Sequence, residues 1–145
     1  MTTHQQQFNN ACKNGNIQKA KTLYKIRQDD ETPIDIHAGD EEAFRWSCGN
    51  GHFKIAKWLY HIGQQPDETP IDIHARNDFA FCLSCGNGHF EIAKWLICMG
   101  VIPYQENCEL YEYFIQHIKH YKHKNSQNTE KLNMVWCHCS RVDIQ

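Results

Sequence analysis

Neither sign of charge is in surplus in this chain. Against 15 Lys and Arg stand 17 Asp and Glu, a formal net charge of −2 at pH 7 with a sequence pI near 6.5. That balance removes any global electrostatic case for nucleic acid, an anionic membrane or an acidic substrate as partner. Long hydrophobic runs are missing too. The longest, around residues 95–103, is too short to cross a bilayer and contains Gly100 and Pro103. The opening MTTHQQQFNN has no apolar core of a secretory signal. These absences predict an intracellular protein, cytoplasmic or nuclear. Catalytic constellations are lacking as well: no Ser/His/Asp set, phosphate-cradling glycine loop or paired carboxylates emerge, so neither an enzyme nor a cofactor is expected.

Cysteine, by contrast, is plentiful, with 8 in 145 residues. Cys12, Cys48 and Cys85 fall at the same point of three successive segments, where a small buried side chain serves. Without an export signal, reduced thiols are expected and not a disulfide framework.

Repetition organises the chain. DETPIDIHA occupies residues 30–38 and again 67–75, and SCGNGHF begins at Ser47 and again at Ser84, a lag of 37 in both cases. A weaker copy, FNNACKNGNIQKAKTLY over residues 8–24, aligns with a lag of 36, placing Phe8 under Phe44, Cys12 under Cys48 and Gly15 under Gly51. A constant lag across separate blocks marks a structural unit.

Each unit parses into two short helices and an extended connection. Asp40 or Glu41 can open the first helix by accepting orphan N–H groups, and Phe44, Ser47 and Cys48 give it an apolar-to-small face. Gly49, Asn50 and Gly51 then reverse the chain. From His52 the second helix carries one stripe of Phe53, Ala56 and Tyr60 and another of Ile55, Leu59 and Ile62, with Lys54, Lys57 and His61 on the remaining face. Two apolar stripes require two neighbours. IDIHA alternates, with Ile34, Ile36 and Ala38 pointing one way and Asp35 and His37 the other, an extended segment able to turn or form a hairpin. Pro33 and Pro70 keep helix out of it.

On these residues the chain resembles the ankyrin repeat family. CGNGHFKIAKWLY is similar to the family's A-x-x-G-H-x-x-[IV]-[VA]-x-x-L-L core, and DIHARND to the D-V-N-A-K-D that follows, over about residues 8–104. Two features depart from the family pattern. Glu42-Ala43-Phe44-Arg45 stands where T-P-L-H is found, which puts the family's threonine–histidine turn bonds in question here. The loop after the second helix is also longer, by GQQPDETP. The divergent units are similar to those of ankyrin proteins of large DNA viruses that infect amoebae, in which case the partner is a host protein. The resemblance implies an all-α repeat solenoid of stacked helix-turn-helix units with short extended or hairpin connections. Residues 1–104 form the repeats, divided about 6–38, 39–75 and 76–104, and residues 105–145 form a C-terminal helical cap and tail.

Terminal units of a solenoid need a polar outer side. In the first unit Ile55 becomes Lys19, Trp58 becomes Thr22 and Trp46 becomes Asn10, so it reads as an N-terminal cap with which the array starts. Downstream, residues 106–125 place Leu110, Phe114, Ile118 and Tyr121 on one helical face, the pattern of a closing helix, and Met134, Val135 and Trp136 belong to a short final helix.

The expected function is a non-catalytic protein-binding module, acting as a monomer through turn tips and first helices on a concave face. There the two strong copies differ, GDEEAFRW against RNDFAFCL. The candidate partner-binding residues are therefore Asp40, Glu41, Arg45, Arg76, Asn77, Asp78 and Cys82. Arg45 and Arg76 are each expected to tolerate charge reversal to Glu without loss of stability. One rival reading is an adaptor whose C-terminal segment recruits a second protein such as a ubiquitin-ligase component. Another is a metal or thiol-redox protein using Cys82-x-x-Cys85, Cys137-His138-Cys139 or the His117, His120, His123 series; packing and a solvated basic face account for these residues more simply. Trp58 and Trp95 either fill grooves between second helices or form an exposed ladder. His52 and His89 are expected to make structural hydrogen bonds.

Overall fold

The computed structural model describes residues 3–26 and 32–101. These form six helices and, among the described residues, no strand: α1 (His4–Lys13), α2 (Ile17–Ile26), α3 (Ala38–Gly49), α4 (Phe53–Gly63), α5 (Ala75–Gly86) and α6 (Phe90–Cys98). None is long and apolar enough to cross a membrane. The expected cap and tail at 105–145, with its histidines and the Cys137-His138-Cys139 triplet, lies outside the described residues.

Local sequence sets the helix ends. Thr3 and Gln6 form a reciprocal capping box at the start of α1, each side chain bonding the other's backbone N–H. At the reversals, Gly15, Gly51 and Gly88 take φ values of 79°, 80° and 78°. The next N–H then returns to the preceding helix: Asn16 to the Ala11 carbonyl, His52 to Ser47 and His89 to Ser84. That bond needs a left-handed residue, which glycine supplies without a Cβ clash.

The first helices lie side by side, α1 against α3 and α3 against α5, and each packs on the second helix of its own unit. Equivalent contacts recur between neighbours. The Ser47 hydroxyl sits 2.7 Å from the Ala43 carbonyl and 3.4 Å from that of Cys12. The Ser84 hydroxyl sits 2.7 Å from Ala80 and 3.2 Å from Cys48. Asn50 donates to the Lys13 carbonyl at 2.9 Å, and Asn87 to that of Gly49 at 2.6 Å. Phe8, Phe44 and Phe81, Cys12, Cys48 and Cys85, and Leu23, Leu59 and Leu96 are buried at matching positions. The architecture is all-helical and compatible with a helical repeat.

Trp58 and Trp95 fill grooves. Trp58 reaches back to Phe8 and Tyr24 at 6.3 and 5.7 Å between ring centroids. Trp95 likewise meets Phe44, Phe53 and Tyr60 at 6.2, 5.4 and 5.6 Å. At those separations and tilts each indole joins two units through edge-to-face contact.

IDIHA alternates as expected at its core, with Ile34 and Ile36 buried and Asp35 exposed, but among the described residues it pairs into no hairpin. Its backbone groups are taken by side chains instead. Asp35 exchanges two hydrogen bonds with the Gln5 amide, at 2.8 and 2.9 Å, and Asp72 N–H donates to Glu41 Oε1 at 3.1 Å. Backbone groups already satisfied in this way have nothing to offer a neighbouring strand.

Candidate functional site

The two tips hold an uncommon backbone. Gly39, Asp40 and Glu41 take φ of 67°, 55° and 63°, and Arg76, Asn77 and Asp78 take 54°, 57° and 58°. Each set is one left-handed turn preceding the right-handed helix. Left-handed geometry costs L-residues roughly 1–2 kcal/mol apiece, and five of these six are not glycine. Neither Asp40 nor Glu41 therefore opens α3 by capping it, as their position suggested; both belong to the turn.

Side chains brace the first tip. Arg45 Nε donates to the Asp40 carbonyl at 2.7 Å and Nη2 to that of Gly39 at 2.9 Å. Burial, with Arg76 nearby acting the same way, pulls the Arg45 guanidinium below its ordinary pKa, while Glu42, Asp40 and Glu41 oppose the shift. Glu41 Oε1 lies 2.7 Å from His37 Nδ1 and accepts the Asp72 N–H, while His37 Nε2 lies 2.8 Å from Thr69 Oγ1. A threonine–histidine contact thus links one tip to the next connection, formed by residues outside the missing T-P-L-H position.

These bonds correct the predicted face. Glu41 and Arg45 are each only 5% exposed and serve the frame, so they are not available to a partner. The expected tolerance of Arg45 to charge reversal falls with that. Their outward position was inferred from their place at a tip, whereas the left-handed turn carries Glu41 to His37 and the Asp72 N–H and brings its own carbonyls within reach of Arg45. Asp40 and Arg76 do face solvent, with side chains 67% and 59% exposed and paired at 3.1 Å across the two tips. Asn77 is exposed and Cys82 half-buried. Asp78 is mostly covered and lies 2.6 Å from His74 Nδ1.

Sequence reasoning passed over a row along the first helices. Trp46, Phe79 and Leu83 are half-buried beside the tips. Their signal was present: positions 6, 42 and 79 read Gln, Glu, Phe, and positions 10, 46 and 83 read Asn, Trp, Leu, differing where the neighbouring Phe44 and Cys48 are kept in all three units and Ala43 and Ser47 in the two strong copies.

Among the described residues no group of three or more His, Cys, Asp or Glu is arranged to hold a metal ion. Burial pushes the Cys12 and Cys85 thiols up to about 12, with Cys82 adding to the shift at Cys85, and raises Cys48 as well. Thiols held protonated are poor nucleophiles and poor metal ligands. His52 Nε2 lies 3.0 Å from the Lys13 carbonyl, and the His52 and His89 rings press on Gly15 and Gly51, where an added Cβ would come within 2.7 and 2.6 Å.

Compared with known proteins, the chain matches no family model, no curated protein and no solved structure.

Proposed function

We propose that the chain is an ankyrin-type solenoid module that binds a protein partner, without catalysis, through its turn tips and the adjoining sides of its first helices. One contrast carries the reading. Ser47 and Ser84, Asn50 and Asn87, and Cys48 and Cys85 make or fill equivalent contacts at a lag of 37, whereas the exposed Asp40 and Asn77 and the half-buried Glu42 and Phe79 at that lag are different. A kept frame under changing surface side chains is what a binding scaffold requires. The His37–Thr69 contact supports the ankyrin-type reading, since it joins a tip to the following unit. With acids and bases mixed along the tips, the partner is a protein surface of mixed charge and not a polyanion.

Affinity capture from the native cell, read by mass spectrometry, tests this with an Asp40→Lys/Asn77→Glu double variant beside the natural chain. Both sites are exposed, so the melting temperature is expected to hold while at least one captured protein is lost. A double variant that keeps every captured protein, together with first-helix variants that do the same, leaves no binding face and ends the proposal.

A further inference from the structure

Along the first helices polarity falls in one direction. α1 presents Gln6 and Asn10, α3 Glu42 and Trp46, and α5 Phe79 and Leu83 at equivalent places. The apolar members are contiguous. The Trp46 and Phe79 ring centroids are 6.3 Å apart at 84°. Leu83 lies across α3 because position 49 is glycine, where a Cβ would come within 2.8 Å of Leu83 Cδ1. The Arg45 guanidinium, tied to the first tip, stands 5.1 Å from the Phe79 ring. On the other side the exposed Lys13 ammonium sits 4.4 Å from the Trp46 ring centroid. Such a patch is held in place before any partner arrives, which lowers the ordering cost of binding. It also combines an aromatic anchor with a flanking cation, the composition of an interface hot spot.

We propose that Trp46, Phe79 and Leu83 anchor an apolar side chain from an extended segment of the partner protein, and that Lys13 pairs with a carboxylate on the same segment. This rests on the binding-module reading and names the chemistry of its partner. Neighbouring carboxylates are engaged elsewhere: Glu42 Oε2 accepts from Asn9 and Asp40 pairs with Arg76. A cation stacked on an indole keeps its outer hydrogens available. With Lys13 4.4 Å from the Trp46 ring centroid and that centroid 6.3 Å from Phe79, the ammonium stands within about 11 Å of the Phe79 ring, and extended chain advances ~3.3 Å per residue. Alternate side chains of an extended segment share one face, so the acid stands two residues from the anchor, a Glu-x-Leu pattern.

The test uses the full chain and fluorescein-labelled twelve-residue peptides of Gly and Ser that carry one Leu and one Glu at varied spacing, read by fluorescence anisotropy. Glu-x-Leu is expected to bind at least tenfold more tightly than Ser-x-Leu, Lys-x-Leu or Glu-x-x-Leu, the last of which turns the acid to the opposite face. Trp46→Ala and Leu83→Asp each cut that affinity at least tenfold. Lys13→Glu, a change at an exposed site, is expected to invert the preference to Lys-x-Leu. If no spacing outperforms the serine control, or if Lys13→Glu leaves the preference unmoved, the patch has no such role. A natural partner lost with the Asp40→Lys/Asn77→Glu variant but kept by Lys13→Glu and Leu83→Asp would sink this proposal and leave the binding module standing.

Discussion

The turns at 39–41 and 76–78 share one backbone and almost none of its support. Both run three left-handed residues between an Ile-x-Ile-His approach and a right-handed helix. The first begins with glycine, is tied by Arg45 at two carbonyls, and lodges Glu41 against His37 and the Asp72 N–H. At the second, arginine replaces glycine, Cys82 occupies the place of Arg45, and Asp78 is one methylene shorter than Glu41. The His74 side chain is 54% exposed where that of His37 is 26%. Two sets of side chains with the same outcome mean that the turn is imposed by the packed helices around it. The local bonds set how firmly it is held, not whether it forms.

Raising the pH attacks the frame under both turns, and the largest effect is expected there. Cys12 and Cys85 ionise at about 12 in the folded chain against an ordinary 9.0, and Cys48 is also raised. The unfolded chain then binds fewer protons between those values. Stability should be whole below pH 9 and fall steadily as pH rises towards 12. A denaturant midpoint that stays level from pH 8 to 11 would show that these thiols are not buried.

Arg45→Glu should come next. It removes two hydrogen bonds from a charged donor, each worth ~1.5–3 kcal/mol, and sets a carboxylate against the carbonyls of Gly39 and Asp40. A loss of about 3 kcal/mol or more in urea unfolding is expected; a loss under about 1 kcal/mol would return Arg45 to the partner-facing side. Cys82→Arg runs the comparison backwards, and a gain of about 1–2 kcal/mol would show that the second turn lacks only its brace. No gain would mean that the two turns differ in more than this residue.

Glu41→Gln separates brace from charge. Glu41 Oε2 is buried without a hydrogen-bond partner, whereas Gln5, at the matching position, satisfies both the N–H and the carbonyl of Asp35. An amide keeps the acceptor and adds a donor, so stability should hold or rise by about 1 kcal/mol. Asn77→Gly is the smallest change, a gain of about 0.5 kcal/mol from relief of a left-handed residue at an exposed site. A loss at Asn77 instead would give that side chain a structural duty.

Much of this was legible in advance. Glycines at 15, 51 and 88 announced the reversals, and the buried phenylalanines, cysteines and leucines followed the repeated letters. The groove-filling of Trp58 and Trp95 was one of two readings their positions allowed. Glu41 and Arg45 were misread because charge near a loop usually signals exposure, and nothing local reveals three consecutive left-handed residues in GDEE or RNDF. The missing hairpin has a similar cause: the groups that consume the Asp35 and Asp72 backbone are Gln5 and Glu41, each about 30 residues away.

Period and inward stripe follow from the letters, since side-chain size and helical spacing are properties of a short stretch of chain. Which charged tips reach solvent was decided only by three-dimensional packing. A left-handed turn and a carbonyl brought within reach of Arg45 exist only once neighbouring helices are in place. That same packing gathered Lys13, Trp46, Phe79 and Leu83 from three helices onto one surface.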